Sequence, residues 1–291
     1  LGADCAGHAQ LEVATGDGHL LKGITATRSA MPGVAVKTRA MTRRLEQRGI
    51  RKQETRRGTL ILLHGRGGRK EDLLWVAKRF VAADFRCVVY DARAHGKSGG
   101  RFCTFGKMET GDLKAVISHL DNSLAEVGES IGPVGLFGNS LGAAVALQST
   151  ADLSKSRAIV AVAPFTNLPE IVSRSGRRMI HRHLPDRLSQ WCIKVGGWRA
   201  GFDPFAIVPL ESSIQSGTPL FVVHGALDGV IPIDHGRQIF EVARSPHKLW
   251  REIPTGNHGN VLAEGGDDLY EELILFFLQH LDDTPPLTGS A

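Results

Sequence analysis

The sequence predicts an α/β fold built around a mostly parallel β-sheet with helices on both faces. Short apolar runs of strand type alternate with segments of helical spacing along most of the 291 residues, and this alternation is typical of parallel sheets with right-handed crossovers. Some runs, such as 59–63, are apolar throughout, as in strands that are covered on both faces. A serine between two glycines, in 138–142, joins one run to a helical segment. The chain has no internal repeat and no clean linker, so residues 1–291 are interpreted as one domain.

The chain opens with a predicted hairpin and a polar insertion. Strands at 11–15 and 20–27 flank the turn Gly16-Asp17-Gly18. Residues 31–58 are polar and basic and are interpreted as an insertion that includes a surface helix over 38–48. The next elements are, in order, strand 59–63, helix 71–83, strand 85–90, helix 111–120, strand 134–137, a helix ending near 149, and strand 158–163.

The alternation of strands and helices breaks between residue 165 and about residue 214. This segment is helical or irregular and basic, and it holds Trp191 and Trp198. A long excursion between two core strands is typical of a functional segment or a lid, so 165–214 is interpreted as a cap insertion. The last elements are predicted as strand 220–224, helix 236–244, strand 248–253 and helix 269–281.

The composition indicates a globular protein with a sizeable core. Hydrophobic residues make up 42% of the chain and charged residues 22%. No apolar run approaches the roughly 18–20 residues that a membrane-spanning helix needs, so we expect no transmembrane segment and a soluble protein. Because the chain starts at Leu1 and not at Met, we interpret it as a processed product. The compartment therefore stays open between cytoplasmic and exported with the leader removed.

The net charge of +5 is concentrated in two basic clusters, within 37–57 and within 174–199. No aromatic residues are interleaved for stacking on bases, so nucleic acid is not an expected partner. The clusters are either solvated faces or sites of weak association with anionic surfaces, and the sequence leaves both interpretations open.

The four cysteines do not form a recognisable metal or disulfide framework. They lie at Cys5, Cys87, Cys103 and Cys192, with no CxxC pair, so no zinc site is predicted. Cys87 is expected to be a small core residue. A single bridge from Cys192 to Cys103 or to Cys5 remains open.

The stretch Gly138-Asn139-Ser140-Leu141-Gly142 predicts a nucleophile elbow, because a strand-like run precedes it and a helical segment comes directly after it. A turn this sharp brings strand and helix backbones together, so a Cβ at either glycine would collide with them. The turn places the Ser140 hydroxyl at its tip. The amide of Leu141 opens the helix and is free to donate to an oxyanion.

A serine hydroxyl needs a base to become a good nucleophile, and the elbow predicts the order serine, acid, histidine. Asp228 comes after the predicted strand 220–224 and is the expected acid, with Asp234 as the competitor near a helix start. His258 lies in a glycine-flanked loop after the last strand and is the expected base. His224, His235 and His247 lie in or beside regular elements and are less well placed.

The segment His64-Gly65-Arg66-Gly67-Gly68 comes after strand 59–63 and is expected to supply the second oxyanion donor, the Arg66 amide. The Arg66 side chain has an alternative role, in which it points into the pocket and meets an anionic group. His64 is expected to be structural. Gly96-Lys97-Ser98 matches the end of a phosphate-binding loop, but Asp91 stands where that motif needs its first glycine, so no nucleotide site is predicted.

Taken with Tyr90-Asp91-Ala92-Arg93-Ala94-His95-Gly96-Lys97-Ser98, these motifs resemble the α/β-hydrolase family, in its serine-aminopeptidase-like and dienelactone-hydrolase-like esterase branch. The resemblance covers residues 11–281. It implies an eight-stranded sheet with a small helical cap after the sixth strand, and Ser140, Asp228 and His258 as nucleophile, acid and base. Ala94 departs from the family, which often has glycine there.

These observations predict a serine hydrolase that cleaves small carboxylic esters through an acyl-enzyme on Ser140, with no cofactor and no metal. Thioesterase, amidase or peptidase, and perhydrolase activities use the same three residues and stay open. A non-catalytic binding module is the alternative from another class, because a fold does not establish a function. The acyl and alcohol specificity and the oligomeric state are not readable from the sequence.

Overall fold

A computed structural model of the protein describes residues 9–27, 35–53, 56–150, 153, 156–179 and 185–281. Its centre is an eight-stranded sheet with the strand order β1-β2-β4-β3-β5-β6-β7-β8. The strands are β1 (Ala9–Ala14), β2 (Leu20–Ala26), β3 (Thr59–Leu63), β4 (Arg86–Tyr90), β5 (Val134–Asn139), β6 (Ser156–Val162), β7 (Leu220–Gly225) and β8 (Lys248–Ile253).

The sheet is mostly parallel, as predicted. The pairings β1–β2 and β2–β4 are antiparallel, and the five pairings from β4 through β8 are parallel. The hairpin predicted at the start forms the antiparallel edge. Because the strands from β3 to β8 run in one direction, their carboxyl ends meet at a single rim of the sheet, where loops carry side chains from β5, β7 and β8 towards each other.

Helices cover both faces of the sheet. They are α1 (Ala35–Gln47), α2 (Leu74–Val81), α3 (Glu109–Ala125), α4 (Leu141–Gln148), α5 (Leu168–Met179), α6 (Asp186–Ala200), α7 (Pro209–Gln215), α8 (Ile233–Val242) and α9 (Val261–Leu281). Leu60 and Leu62 of β3 pack with α1, α2 and α9, whereas Ile61 packs with α3, α4 and α8. Both faces of β3 are therefore buried, which is the reason for its unbroken apolar sequence.

The last helix differs most from its prediction over 269–281. It begins eight residues earlier, at Val261, and is interrupted at Gly266, which has φ 58° and ψ −161°. This backbone conformation is open to glycine because it lacks a Cβ. The apolar spacing after Gly266 revealed the second half of α9, whereas the first half is short and polar enough to resemble a loop.

The predicted cap comes after the sixth strand. Between β6 and β7 lie α5, α6, a 3-10 turn at Pro204–Ala206, and α7. A small apolar cluster joins the cap to the body of the fold, with Phe165, Leu168 and Ile207 packed against Ala144 and Ile231. No helix among the described residues is both long and apolar enough to span a bilayer.

The basic insertion is held against the body of the fold by ion pairs. Its predicted helix is α1, and Met41 and Leu45 on its inner face are buried. Arg44 pairs with Asp268 and, at 2.9 Å, with Glu271, and Arg48 lies 2.6 Å from Glu271. Residues 31–34 and 54–55 of the insertion lie outside the described residues.

The sequence left a disulfide between Cys103 and Cys192 undecided. It is not formed, because both side chains are free thiols. Cys5, the other candidate partner of Cys192, lies outside the described residues. Cys87 is a buried core residue of β4, as expected.

Candidate active site

Ser140 lies in a sharp turn between β5 and α4, with φ 55° and ψ −110°. A Cβ on Gly138 would lie 2.3 Å from the carbonyl oxygen of Gly142, and a Cβ on Gly142 would lie 2.1 Å from that of Leu63. The predicted collisions at both glycines are thus confirmed. The Ser140 amide donates to the carbonyl of Val162 at 2.8 Å, which fixes this strained conformation against β6.

Asp228 comes after β7, and its carboxylate accepts three hydrogen bonds. Oδ1 accepts from the amides of Val230 at 2.9 Å and Ile231 at 2.8 Å, and Oδ2 lies 2.7 Å from Nδ1 of His258. The side chain is completely buried. Burial alone would raise the pKa of Asp228, but the bonds from His258 and the two amides outweigh it and hold the pKa below its usual value. Asp228 is therefore ionised at neutral pH.

His258 lies in the loop between β8 and α9, and this loop is joined directly to the loop that carries Asp228. The Leu227 amide donates to the carbonyl of Gly256 at 2.9 Å. A Cβ on Gly225 would lie 2.4 Å from that same carbonyl oxygen. The sequence indicated that glycines near the histidine are needed, and the structure adds Gly225, the last residue of β7, which permits the close approach of Gly256.

Asn257 and Asn260 shape the turn around the imidazole. The side-chain oxygen of Asn257 accepts from the amides of Gly259 at 2.9 Å and Asn260 at 3.1 Å, while that of Asn260 accepts from the Asn257 amide at 2.6 Å. Sequence reasoning missed this pair. An Asn-x-x-Asn spacing just before a helix is a capping signal that identifies it.

Ser140 and His258 both line a cavity of about 460 Å³ under the cap. Its apolar wall includes Leu73, Trp75, Phe105, Leu141, Phe165, Ile171, Val230, Ile231, Val261, Leu262 and Ala263. Within the described residues, the Ser140 hydroxyl makes no hydrogen bond to His258, whose ring is held on its other side by Asp228. Contacts of this kind often tighten only when substrate is bound.

The two predicted oxyanion donors, the amides of Leu141 and Arg66, belong to segments that lie next to Ser140. The Leu141 amide is the first of α4, so it has no acceptor within the helix. Gly65, next to Arg66, comes so close to the elbow that a Cβ on it would lie 3.5 Å from that of Ser140. The Arg66 amide donates to no other described residue. Neither amide therefore has an acceptor among the described residues, and their role as oxyanion donors stays a prediction.

Asp234, the competing acid, is an exposed residue in the first turn of α8. Its nearest cation is Arg237, at 3.9 Å. Asp234 therefore lies at a helix start, as the sequence indicated, and Asp228 is the carboxylate that meets His258.

His224 and His235 are buried and engaged elsewhere. His224 Nε2 lies 2.9 Å from the carbonyl of Ile231 and 3.6 Å from Oδ2 of Asp228. Because a carbonyl only accepts, that nitrogen carries the proton and holds the loop whose amides bind Asp228. Burial lowers the pKa of His224. His235 Nδ1 lies 2.8 Å from the Thr166 hydroxyl. His224 is thus a supporting residue that the sequence did not reveal.

His64 and His247 are also placed as structural residues. His64 Nε2 accepts from the Ala92 amide at 2.9 Å, and burial lowers the pKa of its imidazole. His247 packs against His280 with ring centroids 5.2 Å apart.

The Gly96-Lys97-Ser98 segment folds around Asp91. The Lys97 amide donates to Asp91 Oδ2 at 2.9 Å, and the Ser98 hydroxyl donates to the Asp91 carbonyl at 2.6 Å. A Cβ on Gly96 would lie 2.3 Å from the Asp91 carboxyl carbon. These contacts explain the motif without a nucleotide. Among the described residues, no cluster of three or more His, Cys, Asp or Glu side chains could hold a metal ion.

A family model described as serine aminopeptidase, S33, matches residues 54–197. The match includes the elbow and ends before Asp228 and His258. The chain is 26% identical over 233 residues to the uncharacterized protein YqkD of Bacillus subtilis, with 78% of this chain and 72% of that protein covered.

It is also 25% identical over 210 residues to the lysophosphatidylserine lipase ABHD12 of Mus musculus, covering 67% of this chain. The chain spans about half the length of that lipase, 47%. Among solved structures, an esterase of Pyrococcus furiosus superimposes with a TM-score of 0.70 at 21% identity, over 94% of this chain and 91% of that one.

Proposed function

Because the chain belongs to the α/β-hydrolase family, we propose that it is a serine hydrolase that cleaves carboxylic esters through an acyl-enzyme on Ser140. The observation that carries the proposal is the 2.7 Å hydrogen bond that buried Asp228 accepts from His258, which lines the same cavity as the strained Ser140. Strain of this kind is concentrated at functional sites.

In the proposed reaction, the Ser140 hydroxyl oxygen attacks the ester carbonyl carbon while His258 Nε2 accepts the hydroxyl proton. Asp228 fixes the imidazole with Nε2 towards the serine and stabilises the imidazolium. The tetrahedral intermediate collapses as the carbon–oxygen bond to the alcohol breaks, and His258 returns the proton to the leaving alcohol. Water then repeats the sequence on the acyl-enzyme, which releases the acid and regenerates Ser140.

The amides of Leu141 and Arg66 are proposed to stabilise the negative oxygen of each tetrahedral intermediate. Each such donor is typically worth about 10²–10³ in rate. Both belong to the backbone, so no side-chain substitution removes them cleanly.

Two features favour an ester with an acyl chain and an anionic group. The wall of the cavity is largely apolar, which suits an acyl chain, and Arg66 is among the lining residues and has no ion-pair partner in the described part of the chain. The relative in Mus musculus is named as a lysophosphatidylserine lipase, whose named lipid carries such a group. Thioester, amide and peracid chemistry remain alternatives that the same three residues would permit.

The test is labelling with a fluorophosphonate probe, together with hydrolysis of nitrophenyl esters of increasing acyl length. Ser140→Ala removes the proposed nucleophile, and we expect it to abolish both labelling and hydrolysis. Ser175→Ala is the matched control, because Ser175 lines the same cavity; this variant is expected to label like the wild type. If the wild-type protein fails to label, the binding-module alternative replaces this proposal.

A further inference from the structure

The outer face of α6 exposes large aromatic side chains. Trp198 is 81% exposed and Trp191 is 62% exposed, whereas Ser189, Ile193 and Gly197 form a buried stripe on the opposite side of the helix. Two largely exposed tryptophans on one helix face are unusual for a surface that meets only water. Because the cap packs through the opposite side of α6, its fold does not require these exposed tryptophans.

Two cations share the face with the tryptophans. Arg187, Trp191, Lys194 and Trp198 have the spacing of three and four residues that places side chains in one row on a helix. Neither Arg187 nor Lys194 has an ion-pair partner among the described residues, whereas Asp186, the acid in this helix, is bound by Arg177 at 2.5 Å. The face is therefore both aromatic and positively charged.

A groove of about 700 Å³ extends this surface beyond the end of α6. The helix and the segment after it meet closely, since a Cβ on Gly197 would lie 2.2 Å from Pro204. Phe202 and Phe205 add aromatic wall to the groove, and Phe205 is 41% exposed. Asp203 also lines it, but its carboxylate accepts from the Phe205 amide at 3.0 Å. The groove thus continues the apolar surface of the tryptophans.

We propose that this α6 face binds the surface of a membrane that contains anionic lipids. Tryptophan is enriched where protein meets the boundary between headgroups and acyl chains, and an amphipathic helix with basic and aromatic residues lies in that plane. Each lysine or arginine near such a surface adds to the attraction, and the attraction weakens with salt. The face offers both kinds of side chain in one row.

A second copy of the chain fits this face less well. A symmetric dimer brings the same patch of each subunit together, so Arg187 and Lys194 would meet their own copies, with Asp203 as the one acid among the described residues that line the groove. An anionic bilayer supplies the opposite charge and the apolar layer at once. Self-association is nevertheless a defined outcome of the test.

The α6 face is linked to the cavity through α5. The Ser189 hydroxyl of α6 and the Ser173 hydroxyl of α5 lie 2.9 Å apart, and Ile171 and Ser175 of α5 line the cavity that holds Ser140. Binding through α6 would therefore hold the cavity beside a lipid surface. The binding itself does not depend on the proposed hydrolysis.

The experiment measures co-sedimentation of the protein with vesicles of pure phosphatidylcholine and with vesicles that also contain phosphatidylglycerol. We expect binding to the acidic vesicles that falls as salt rises, and weak binding to the neutral ones. The double variant Trp191→Ala/Trp198→Ala and the double variant Arg187→Gln/Lys194→Gln should each reduce partitioning by about tenfold or more.

The matched control is Lys107→Gln/Lys114→Gln, which removes two exposed cations from another surface and should bind like the wild type. The Ser140→Ala protein should also bind like the wild type. The vesicle experiment therefore tests membrane binding even if the hydrolase proposal fails. Equal binding by the tryptophan variant and the wild type would overturn the proposal. A dimer in sedimentation velocity that dissociates in the tryptophan variant would replace it with self-association.

Discussion

The loops at the strand ends and the outer face of α6 both carry polar side chains, but their partners lie in different places. Around Asp228, the partners of the carboxylate are amides and an imidazole of the same chain. On α6, Arg187 and Lys194 have no such partner among the described residues, and two tryptophans lie beside them in water. Internal partners fix a side chain in one position before any ligand arrives. Their absence leaves a side chain free to meet something outside the chain.

Among the substitutions considered, the largest effect on activity is expected at His258 and Asp228, whose side chains are held by partners within the chain. His258→Ala removes the proposed base, and kcat should fall by about 10⁶; Asp228→Ala should cost about 10⁴, because serine, histidine and acid act as a unit. Steady-state kinetics on a nitrophenyl ester would measure both. His119→Ala, which removes an exposed histidine of α3, is the control and should retain full activity. A His258→Ala enzyme within tenfold of the wild type would show that the base is another residue.

The buried ion pair of Arg93 with Asp112 shows what internal partners contribute to stability, separately from any effect on activity. Arg93 binds Asp112 through two bonds, at 2.6 and 2.7 Å, and binds Asp17 at 2.9 Å. Asp112→Ala leaves a buried guanidinium with only half of its partners, and the free energy of unfolding should fall by about 3–5 kcal/mol. Urea denaturation would measure this loss. Glu126→Gln, at an exposed position, should change it little. An equal effect of the two substitutions would contradict the assignment of the pair as a stabilising contact.

Arg66 is an exception to this contrast. It lies at the rim of the sheet, but like the cations of α6 it is exposed and has no ion-pair partner among the described residues. It is also among the residues that line the cavity. If it meets an anionic group of the substrate, Arg66→Gln should lower kcat/KM for an acidic ester by about fivefold, since a partly exposed charge pair contributes at most about 1 kcal/mol. A neutral ester of the same acyl length is the internal control. Unchanged relative activity on the two esters would remove the proposed preference.

Features that depend on a short stretch of chain were predictable from the sequence. The elbow glycines, the unbroken apolar strands and the order of Ser140, Asp228 and His258 were all visible, because steric demands and strand periodicity act over a few residues. Contacts between distant segments were not visible. No residue near Arg44 in the sequence indicates that it meets Glu271. Likewise, no residue near Gly225 indicates that the carbonyl oxygen of Gly256 would lie 2.4 Å from a Cβ on it.

The two basic clusters illustrate the same limit. As sequence, the insertion and the cap look equally like solvated faces. In the structure, α1 directs Arg44 and Arg48 onto carboxylates of α9, whereas α6 leaves its cations beside Trp191 and Trp198. Charge alone did not separate the two, because the difference lies in which helix packs beside each cluster.

The smallest effect concerns backbone strain at the rim. Ser140 has φ 55° at the proposed reacting centre, and Ala94, after β4, has φ 60°. Ala94 is exposed, so its methyl group contributes little packing. Ala94→Gly relieves the left-handed strain, worth about 1 kcal/mol, but it also frees the unfolded chain, so a net gain of about 0.5 kcal/mol is expected in urea denaturation.

Ala125→Gly, at the exposed end of α3, is the matched control and should destabilise the protein, since its backbone is helical. The opposite signs of these two alanine-to-glycine changes separate relief of strain from a general effect of glycine. A loss of stability in Ala94→Gly as large as that in Ala125→Gly would mean that the loop after β4 tolerates the left-handed alanine without strain.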